Sequence, residues 1–388
     1  MNLLSIDFGT SFCAAAYMDA AAQPIPVCFG VNPYNAKCYK FPTVIQYAYD
    51  QDGVEKKIIG EIALTNLIQS NKQDSSIISK IKTELRERTG YIVNGQKKPS
   101  TIIVADIFQK IKEIAETQAG VEFDNAIITH PAQYESVKQD ILREAALKCG
   151  FSSVFLLEEP IAASYSFIEK HQICANKGAV VFDYGGGTVD IAYLWYDGNN
   201  IKFKFPPISK INCGGEYIDL VLHNYIHNRV GNPENTSIVP ILLEHCSKMK
   251  VNFSTAKQEE IVFNNQAVSL DINRFEKIIS PKVEIALDAL KEVANACKTN
   301  DLPIDYVFMN GGSSRLNMVR REIAQEIPDA EQLEYGGDDL AVAIGAIIYY
   351  RTTNGITPAL HNTVAQKVTY HSNRRLEEIR KQYKLTQQ

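Results

Sequence analysis

The sequence predicts an α/β protein whose two halves repeat one design, and three stretches of sequence lead to this prediction. The stretch Val180–Asp190 reads as a buried strand, an aspartate, three glycines and the start of a second strand. The stretch Leu3–Tyr17 repeats this order, with an aspartate and a Gly-Thr-Ser turn between two apolar runs. A late strand, Asp305–Met309, also runs into glycines. With 388 residues, the chain is long enough for two or three domains with a large core.

The composition excludes several classes of protein. The formal net charge of −5 gives no indication of a nucleic-acid partner. The eight cysteines are scattered without a C-x-x-C pair, which argues against a zinc site or a disulfide framework and favours a reducing compartment. The N-terminus has no basic region followed by a long apolar run, and no apolar run approaches the ~20 residues that span a bilayer. We therefore expect a cytoplasmic protein with no membrane partner; export by a route without a cleavable signal is the open alternative.

Elements of the first half follow from apolar periodicity and from the residues that stop each run. After the first hairpin, short strands are predicted at Pro24–Pro26, Phe41–Tyr49, Asn125–Thr129 and Val154–Leu157. From Ile58 to Gly120 the pattern is mostly helical, with apolar residues at helical spacing in Ile62–Leu67, Ile77–Leu85 and Thr101–Ala119. Two further helices are predicted at Ser136–Cys149, which Gly150 stops, and at Ile161–Glu169.

The second half repeats this alternation. Its strands are predicted at Ala179–Tyr196, where they form a hairpin, and at Ile201–Ile211. Glu260–Ile272 alternates like a solvent-facing hairpin with Asn264-Asn265 at its turn. Helices are predicted at Tyr217–Arg229, Ile238–Phe253, Ile278–Ala296 and Leu340–Tyr350. The polar tail from about Thr352 ends in a predicted amphipathic helix, Asn373–Tyr383, which we expect to be solvated.

The two glycine-containing turns predict binding of an anion. Glycines permit positive φ angles and leave no Cβ between the backbone N–H groups and a ligand. Backbone amides exposed in this way bind phosphate. A glycine-rich hairpin turn without a ligand would have the same local sequence, but the occurrence of the pattern in both halves favours the phosphate-binding interpretation.

An ordered set of motifs then identifies a family. The motifs are IDFGTSFCAAAY (Ile6–Tyr17), LLEEPIAASYSF (Leu156–Phe167), VVFDYGGGTVDIA (Val180–Ala192), CGGEYID (Cys213–Asp219), MNGGSSRL (Met309–Leu316) and DDLAVAIGAI (Asp338–Ile347). In this order and spacing they resemble the actin-like ATPase superfamily, and within it the nucleotide-binding domain of the seventy-kilodalton heat-shock (DnaK-type) chaperones. The resemblance covers about residues 1–350.

The resemblance implies an actin-like ATPase fold. Each of two lobes would have a ribonuclease-H-like core and a smaller subdomain, around a central nucleotide cleft. Lobe I would span residues 1–172 with a subdomain at about 37–104, and lobe II residues 173–352 with a subdomain at about 216–300. The tail, 353–388, contains neither the family's apolar interdomain linker nor a substrate-binding domain. A peptide clamp of the usual family type is therefore not expected.

The resemblance also implies ATP or ADP and Mg²⁺ as cofactors. Asp7, Asp183 and Glu159 match the family's metal positions, where they would hold a hydrated ion mostly through water. An aspartate that merely caps a turn at a strand end is the alternative for each aspartate. The positions that match the family's phosphate-binding turns are Gly9, Thr10, Ser11, Phe12, Gly185, Gly186, Gly187 and Thr188.

The catalytic positions carried over from the family are Glu159, Asp183, Thr188 and a lysine. Glu159 would orient the attacking water or take its proton, whereas the neighbouring Glu158 is expected to have no catalytic role. For the lysine, alignment favours Lys80, with Lys82 as the second candidate on a different face of the predicted helix.

The nucleoside positions come from three segments of the second half. They are Gly214, Gly215, Glu216, Lys250, Ser254, Gly311, Gly312, Ser313, Arg315 and Asp339, with Arg315 available to stack on the purine. Three departures from the family pattern accompany them. Ser247 and Val251 replace a glutamate and an arginine of the adenine pocket, which implies weaker or less specific nucleotide binding. Gln139 replaces an arginine that the family uses as a relay, so this departure concerns coupling.

The function implied is that of an ATP-binding, slowly ATP-hydrolysing, chaperone-like protein. It would act through protein partners, either a co-chaperone or a separate substrate-handling protein. Three alternatives use the same fold: a nucleotide-gated binding module with little catalysis, a small-molecule kinase, and a filament-forming relative of actin.

Overall fold

The computed structural model describes residues 2–31, 35–70, 74–83, 85, 90–230, 239–263, 265–336 and 339–356. The chain divides into two compact units, Met1–Thr357 and Pro358–Gln388, and all described residues lie in the first. The helix predicted at Asn373–Tyr383 and residue Asn264 of the predicted turn lie outside the described residues.

The strands of the first half are β1 (Leu3–Asp7), β2 (Phe12–Met18), β3 (Pro24–Pro26), β4 (Gly30–Val31), β5 (Lys37–Cys38), β6 (Phe41–Pro42), β7 (Ile45–Tyr49), β8 (Glu55–Ile59), β9 (Ile77–Ile78), β10 (Tyr91–Val93), β11 (Gln96–Lys98), β12 (Asn125–His130) and β13 (Ser153–Glu158). Those of the second half are β14 (Lys177–Tyr184), β15 (Thr188–Tyr196), β16 (Ile201–Phe203), β17 (Ile208–Ile211), β18 (Gln258–Phe263), β19 (Gln266–Asp271), β20 (Tyr306–Asn310) and β21 (Glu331–Glu334). The α-helices among the described residues are α1 (Glu61–Gln69), α2 (Ser100–Ala119), α3 (Ser136–Lys148), α4 (Glu159–His171), α5 (Gly215–His227), α6 (Val239–Asn252), α7 (Ile272–Thr299), α8 (Asn317–Glu326) and α9 (Ala341–Thr353).

Two mixed sheets of the same design form the centre of the described unit. In the first sheet the strand order is β13-β12-β1-β2-β3, with β6 also paired to β2. In the second sheet the order is β16-β15-β14-β20-β21, with β17 also paired to β15. In each sheet the aspartate-ended strand pairs antiparallel with its hairpin partner and parallel with a later strand. The repeated sequence pattern therefore corresponds to a repeated sheet topology, as predicted.

Helices α4 and α9 pack between the two sheets. Their small residues, including Ala162, Ala163 and Ala346, share a buried cluster with Val181 and Phe308 of the second sheet. Gly345 permits this approach, because a methyl group at its α-carbon would lie 1.8 Å from the carbonyl oxygen of Ala162. The small-residue helix predicted around Gly345 is thus the contact between the halves of the core.

The prediction for the segment from Ile58 to Gly120 is partly wrong. The helical stretch predicted over Ile62–Leu67 is confirmed as α1 and the long final helix as α2, but the short strands β9 to β11 lie between them. The helix predicted over Ile77–Leu85 does not form. Ile77 and Ile78 instead pair with β7, as β-branched residues favour, and a turn follows in which Lys80 has φ 56°.

Other predicted elements are confirmed with small changes at their ends. The predicted strand over Ile201–Ile211 is divided into β16 and β17, and the helix predicted over Ile278–Ala296 begins earlier, as α7, where Asp271 caps it. The predicted hairpin over Glu260–Ile272 is confirmed as β18 and β19. Within the described residues, we find no helix long and apolar enough to cross a membrane.

Candidate functional site

The two glycine-containing turns face each other across the cleft between the sheets. Ser11 of the first turn donates a hydrogen bond to Glu216 of the second half, with 2.6 Å between the oxygens. A methyl group added to Gly186 would lie 2.4 Å from the Ser11 hydroxyl oxygen, and one on Gly187 would lie 3.4 Å from that of Thr10. Side chains at these two positions would therefore separate the turns, which explains why the sequence has glycine there.

Asp7 and Asp183 occupy equivalent positions in the two sheets. Asp7 is in register with Thr129 on the neighbouring parallel strand and accepts a hydrogen bond from its hydroxyl at 3.3 Å. Asp183 is in register with Asn310 and accepts a hydrogen bond from its side-chain amide at 2.8 Å. Each carboxylate is thus held at the carboxyl end of a strand by one neighbour, and its remaining lone pairs are available for a ligand.

Three carboxyl groups of the cleft influence one another. Burial, together with the charge of Asp183, raises the pKa of Asp7 to about 6 against the lowering effect of Lys82. Burial and the charge of Glu159 raise the pKa of Asp183 to about 7. Burial also raises the pKa of Glu159 to about 7, against the lowering effect of Lys82. This concentration of negative charge favours a cation or a proton between the strand ends.

The structure separates the two candidate lysines. The Lys82 ammonium lies 2.8 Å from Oε1 of the buried Glu159. Burial acts to lower the pKa of Lys82, but Glu159 and Asp7 outweigh it and hold that pKa above its ordinary value. Lys80 points elsewhere, with its ammonium 3.3 Å from Glu216 and its side chain 43% exposed. The geometry favours Lys82 as the lysine of the carboxyl cluster.

The start of α5 lies directly against the second turn. The amides of Gly215 and Glu216 donate to the carbonyls of Gly185 and Gly186 at 2.9 and 2.8 Å. A methyl group on Gly214 would lie 2.4 Å from the Gly186 carbonyl oxygen. These contacts fix the second turn at the N-terminus of a helix, where backbone amides and the helix dipole favour a negatively charged ligand.

Lys250 and Ser313 extend this arrangement. The Lys250 ammonium donates to the Gly215 carbonyl at 2.8 Å and forms a buried pair with Asp219, with nitrogen and oxygen 2.8 Å apart. The Ser313 hydroxyl donates to the Gly185 carbonyl at 3.1 Å. Lys250 therefore hydrogen-bonds the backbone at the start of α5, and Ser313 hydrogen-bonds the backbone of the second phosphate turn.

The glycine–serine turn after β20 comes close to Asp183 and to Asp339. A methyl group on Gly311, whose φ is 76°, would lie 2.9 Å from a carboxylate oxygen of Asp183. One on Gly312 would lie 4.0 Å from a carboxylate oxygen of Asp339. Asp339 forms a salt bridge with Arg315. The structure thus brings the third predicted segment to the same cleft as the two turns.

Three predicted site residues, Ser254, Phe12 and Thr188, make local contacts or are exposed to solvent. The Ser254 hydroxyl, in the turn after α6, donates to the Val251 carbonyl at 2.7 Å. The Phe12 ring is exposed. The Thr188 hydroxyl donates to Asp190 at 2.8 Å.

The three departures from the family pattern have distinct surroundings. Val251 is 63% exposed, and its side chain carries no charge. Burial raises the pKa of Asp219, against the lowering effects of Lys250 and, to a smaller extent, of Ser247. Gln139 donates to the Tyr134 carbonyl at 3.0 Å.

The donor atoms of the cleft suit a hydrated Mg²⁺ ion better than a bare transition metal. Asp7, Asp183 and Glu159 offer only oxygen atoms, which Mg²⁺ prefers. Among the described residues, no three His, Cys, Asp or Glu side chains lie close enough together to enclose a metal ion directly. Coordination that keeps several waters and uses ligand oxygens is compatible with this spacing.

One residue of the cleft was not predicted from the sequence. Lys40 forms a salt bridge with Asp339, 299 residues away. No motif surrounds Lys40, and nothing in the local sequence indicates a partner so distant. Only the pairing of β6 with β2 places this lysine beside the first turn.

A sequence model of the family described as Hsp70 protein matches residues 54–360. The chain is 26% identical over 367 residues to a chaperone protein DnaK of Nitrosopumilus maritimus, covering 89% of this chain and 55% of that protein. It is 27% identical over 366 residues to a chaperone protein DnaK of Methanothermobacter thermautotrophicus, covering 89% and 59%. The chain therefore spans a little more than half the length of these relatives.

Proposed function

The chain belongs to the Hsp70 protein family, whose fold is that of the actin-like ATPases, and from this premise we propose that it binds ATP and ADP in the cleft and slowly hydrolyses ATP. One observation carries the proposal. Two register-equivalent aspartates, Asp7 and Asp183, lie at the carboxyl ends of the central strands of two like sheets, and a glycine-containing turn begins two residues after each of them. A polyphosphate between the turns would meet backbone amides from both sides.

We assign the phosphates to Gly9–Ser11 and Gly185–Thr188. The hydroxyls of Thr10 and Ser11 and the backbone amides of the two turns would offset phosphate charge. Ser11 now donates to Glu216, so a bound phosphate would compete with Glu216 for this hydroxyl. Magnesium, when bound, would offset the charge of the β- and γ-phosphates, held mainly through water by Asp7 and Asp183.

We propose that Glu159 orients the attacking water and that Lys82 neutralises and orients Glu159. Glu159 begins α4 and is only 5% exposed, and its partner Lys82 fixes one of its oxygens. The second oxygen would accept a hydrogen bond from a water aimed at the γ-phosphate. We assign the catalytic lysine position to Lys82 and not to Lys80, because of the two only Lys82 contacts the buried Glu159 carboxyl group.

We propose that the adenosine lies between Lys250, Ser313, Arg315 and Asp339. Glu216 and Lys250 stand beside the second turn and would reach the ribose. Arg315 would stack on the purine after its pairing with Asp339 has fixed its orientation. Val251 offers no second cation to this pocket, so we expect modest discrimination among purine bases.

At the level of the whole protein, we propose a chaperone-type role that depends on partner proteins. A co-chaperone or a substrate-handling protein would bind differently to the open and the closed cleft. The division into lobes at residues 172 and 173 is part of this proposal, and the separate sheets support it. So is a reducing, cytoplasmic location, which the eight unpaired cysteines support.

The test is a measurement of ATP binding and of phosphate release by the purified chain with Mg²⁺. We expect binding by calorimetry and slow release of phosphate. Asp183→Ala should abolish release and weaken binding, and Glu159→Ala should abolish release while binding persists. Absence of both binding and release from the unchanged protein would refute the proposal.

A nucleotide-gated module with little catalysis is a second candidate, and two observations favour it. The side chain of Gln139, at the relay position, donates to the backbone carbonyl of Tyr134, five residues earlier. Among the described residues, this is the one hydrogen bond that its side chain makes. Glu159 is engaged with Lys82, which lowers its strength as a base. Calorimetry with ATP and ADP would identify this candidate by similar binding heats and no product.

A further inference from the structure

Lys40 connects the two halves of the described unit next to the predicted adenosine position. Its ammonium pairs with one carboxylate oxygen of Asp339, while Arg315 pairs with the other. The Lys40 ammonium also lies 5.9 Å from the centre of the Phe12 ring, within range of a cation–π contact. Both side chains of the Lys40–Asp339 pair are partly exposed, at 37% and 25%, so the pair can open without unfolding its surroundings.

The backbone around Lys40 is attached to the first phosphate turn. Strand β6, which follows Lys40 directly, pairs Pro42 with Phe12. Thr43 then donates its amide to the Ser11 carbonyl at 2.9 Å and its hydroxyl to the Gly9 carbonyl at 2.9 Å. Movement of Lys40 is therefore coupled to movement of the turn that includes Gly9 and Ser11.

Asp339 is attached in the same way to the second half. It lies against Gly312 of the glycine–serine turn and pairs with Arg315. That turn is hydrogen-bonded through Ser313 to Gly185 of the second phosphate turn. The Lys40–Asp339 pair thus joins one phosphate turn to the other through residues other than those of the Ser11–Glu216 contact.

We propose that Lys40 is a nucleotide-retaining residue, whose salt bridge with Asp339 must open before a purine nucleoside diphosphate leaves the cleft. This inference rests on the proposed nucleotide site. It adds a residue from the first half of the chain to a nucleoside pocket otherwise assigned to the second half. It also gives the pocket a cation where Val251 supplies none.

The experiment measures the release of radiolabelled ADP, bound with Mg²⁺, into an excess of unlabelled ADP. Lys40→Met keeps the length of the side chain and removes its charge. Because a partly exposed ion pair contributes modestly, we expect release to be about two- to fivefold faster. Lys40→Arg should release ADP at nearly the original rate. Lys37→Met, three residues earlier on an exposed strand, is the matched control and should leave the rate unchanged.

Dependence on salt separates an ionic bridge from a packing role. Raising the ionic strength from about 0.05 M to about 0.5 M should accelerate release from the unchanged protein and bring it close to the rate of Lys40→Met. In the Asp339→Asn background, Lys40→Met should have no further effect. If Lys40→Met does not fold, Lys40→Gln removes the same charge without disturbing the Arg315–Asp339 pair and should also accelerate release.

Two results would overturn the inference while the proposed function stands: ADP binds the unchanged protein and Lys40→Met releases it at the same rate, or Lys37→Met accelerates release equally. Failure of the unchanged protein to bind ADP would instead remove the proposed function together with this inference.

Discussion

Lys82 and Lys80 are two residues apart, yet they have different electrostatic surroundings. Lys82 neutralises the buried Glu159, whereas Lys80 is exposed and contacts Glu216. We expect Lys82→Met to reduce the rate of ATP hydrolysis by about 10²-fold or more, because Glu159 loses the cation that orients it and keeps it ionised. Single-turnover measurement of phosphate release would show this.

Lys80→Met is the matched control for this change. Its ammonium makes a partly exposed contact, so hydrolysis should change by about twofold or less. If Lys80→Met reduced the single-turnover rate as much as Lys82→Met, the assignment of Lys82 to the catalytic position would be wrong.

The close crossing of α4 and α9 depends on one residue without a side chain. In Gly345→Ala, the new methyl group would lie 1.8 Å from the Ala162 carbonyl oxygen, and neither helix backbone can retract without opening the core. We expect the free energy of unfolding to fall by about 1–3 kcal/mol. Urea unfolding followed by circular dichroism would measure the change.

Thr352→Ala tests the same helix without a packing effect. Thr352 is exposed near the end of α9, and alanine has the better helix propensity. This variant should be as stable as the unchanged protein or slightly more stable. A Gly345→Ala protein with unchanged stability would show that the two helices can separate.

Helix α5 includes a buried histidine that should make stability depend on pH. Burial lowers the pKa of His223, and the neighbouring His227 lowers it further while a hydrogen bond with Asn224 opposes both. The folded protein therefore binds a proton less readily than the unfolded chain does. The contribution of His223 to stability is present above the pKa of about 6.5 that it has in the unfolded chain, and it is lost as the pH falls below that value.

The measurement is the melting temperature at about pH 8 and about pH 5.5. We expect the decrease on acidification to be smaller in His223→Gln than in the unchanged protein. His171→Gln is a control on α4, at a half-exposed histidine. An equal decrease in all three proteins would contradict the assignment.

At the scale of the molecule, the Ser11–Glu216 hydrogen bond and the Lys40–Asp339 salt bridge connect the two sides of the cleft, and a bound ligand should add further contacts. A nucleotide that bridges the two turns stabilises only the folded protein, by about 2.7 kcal/mol at a hundredfold excess over Kd. We therefore expect Mg²⁺ and ADP to raise the melting temperature of the unchanged protein. Asp183→Ala should lose most of this rise, and Asp329→Ala, at an exposed surface position, should keep it. A rise of the same size in Asp183→Ala would place the nucleotide elsewhere.

Long periodic segments and the repeated strand–turn–strand pattern were predictable, because their signals lie within a few residues of one another. The helices α2 and α7 and both central hairpins formed where the pattern predicted them. The segment Ile77–Leu85 was not predictable from local spacing. Its isoleucines serve a strand that pairs with residues about 30 positions earlier.

The sequence by itself determined the paired aspartates, the bare turns and the order of motifs that identifies the family, since each of these is a local arrangement of residue types. The tertiary structure alone decided which lysine meets Glu159 and that Lys40 reaches Asp339. Ion pairs of this kind depend on where distant backbone segments converge, and their strength depends on burial. Neither distance nor burial is encoded in the spacing of residues along the chain.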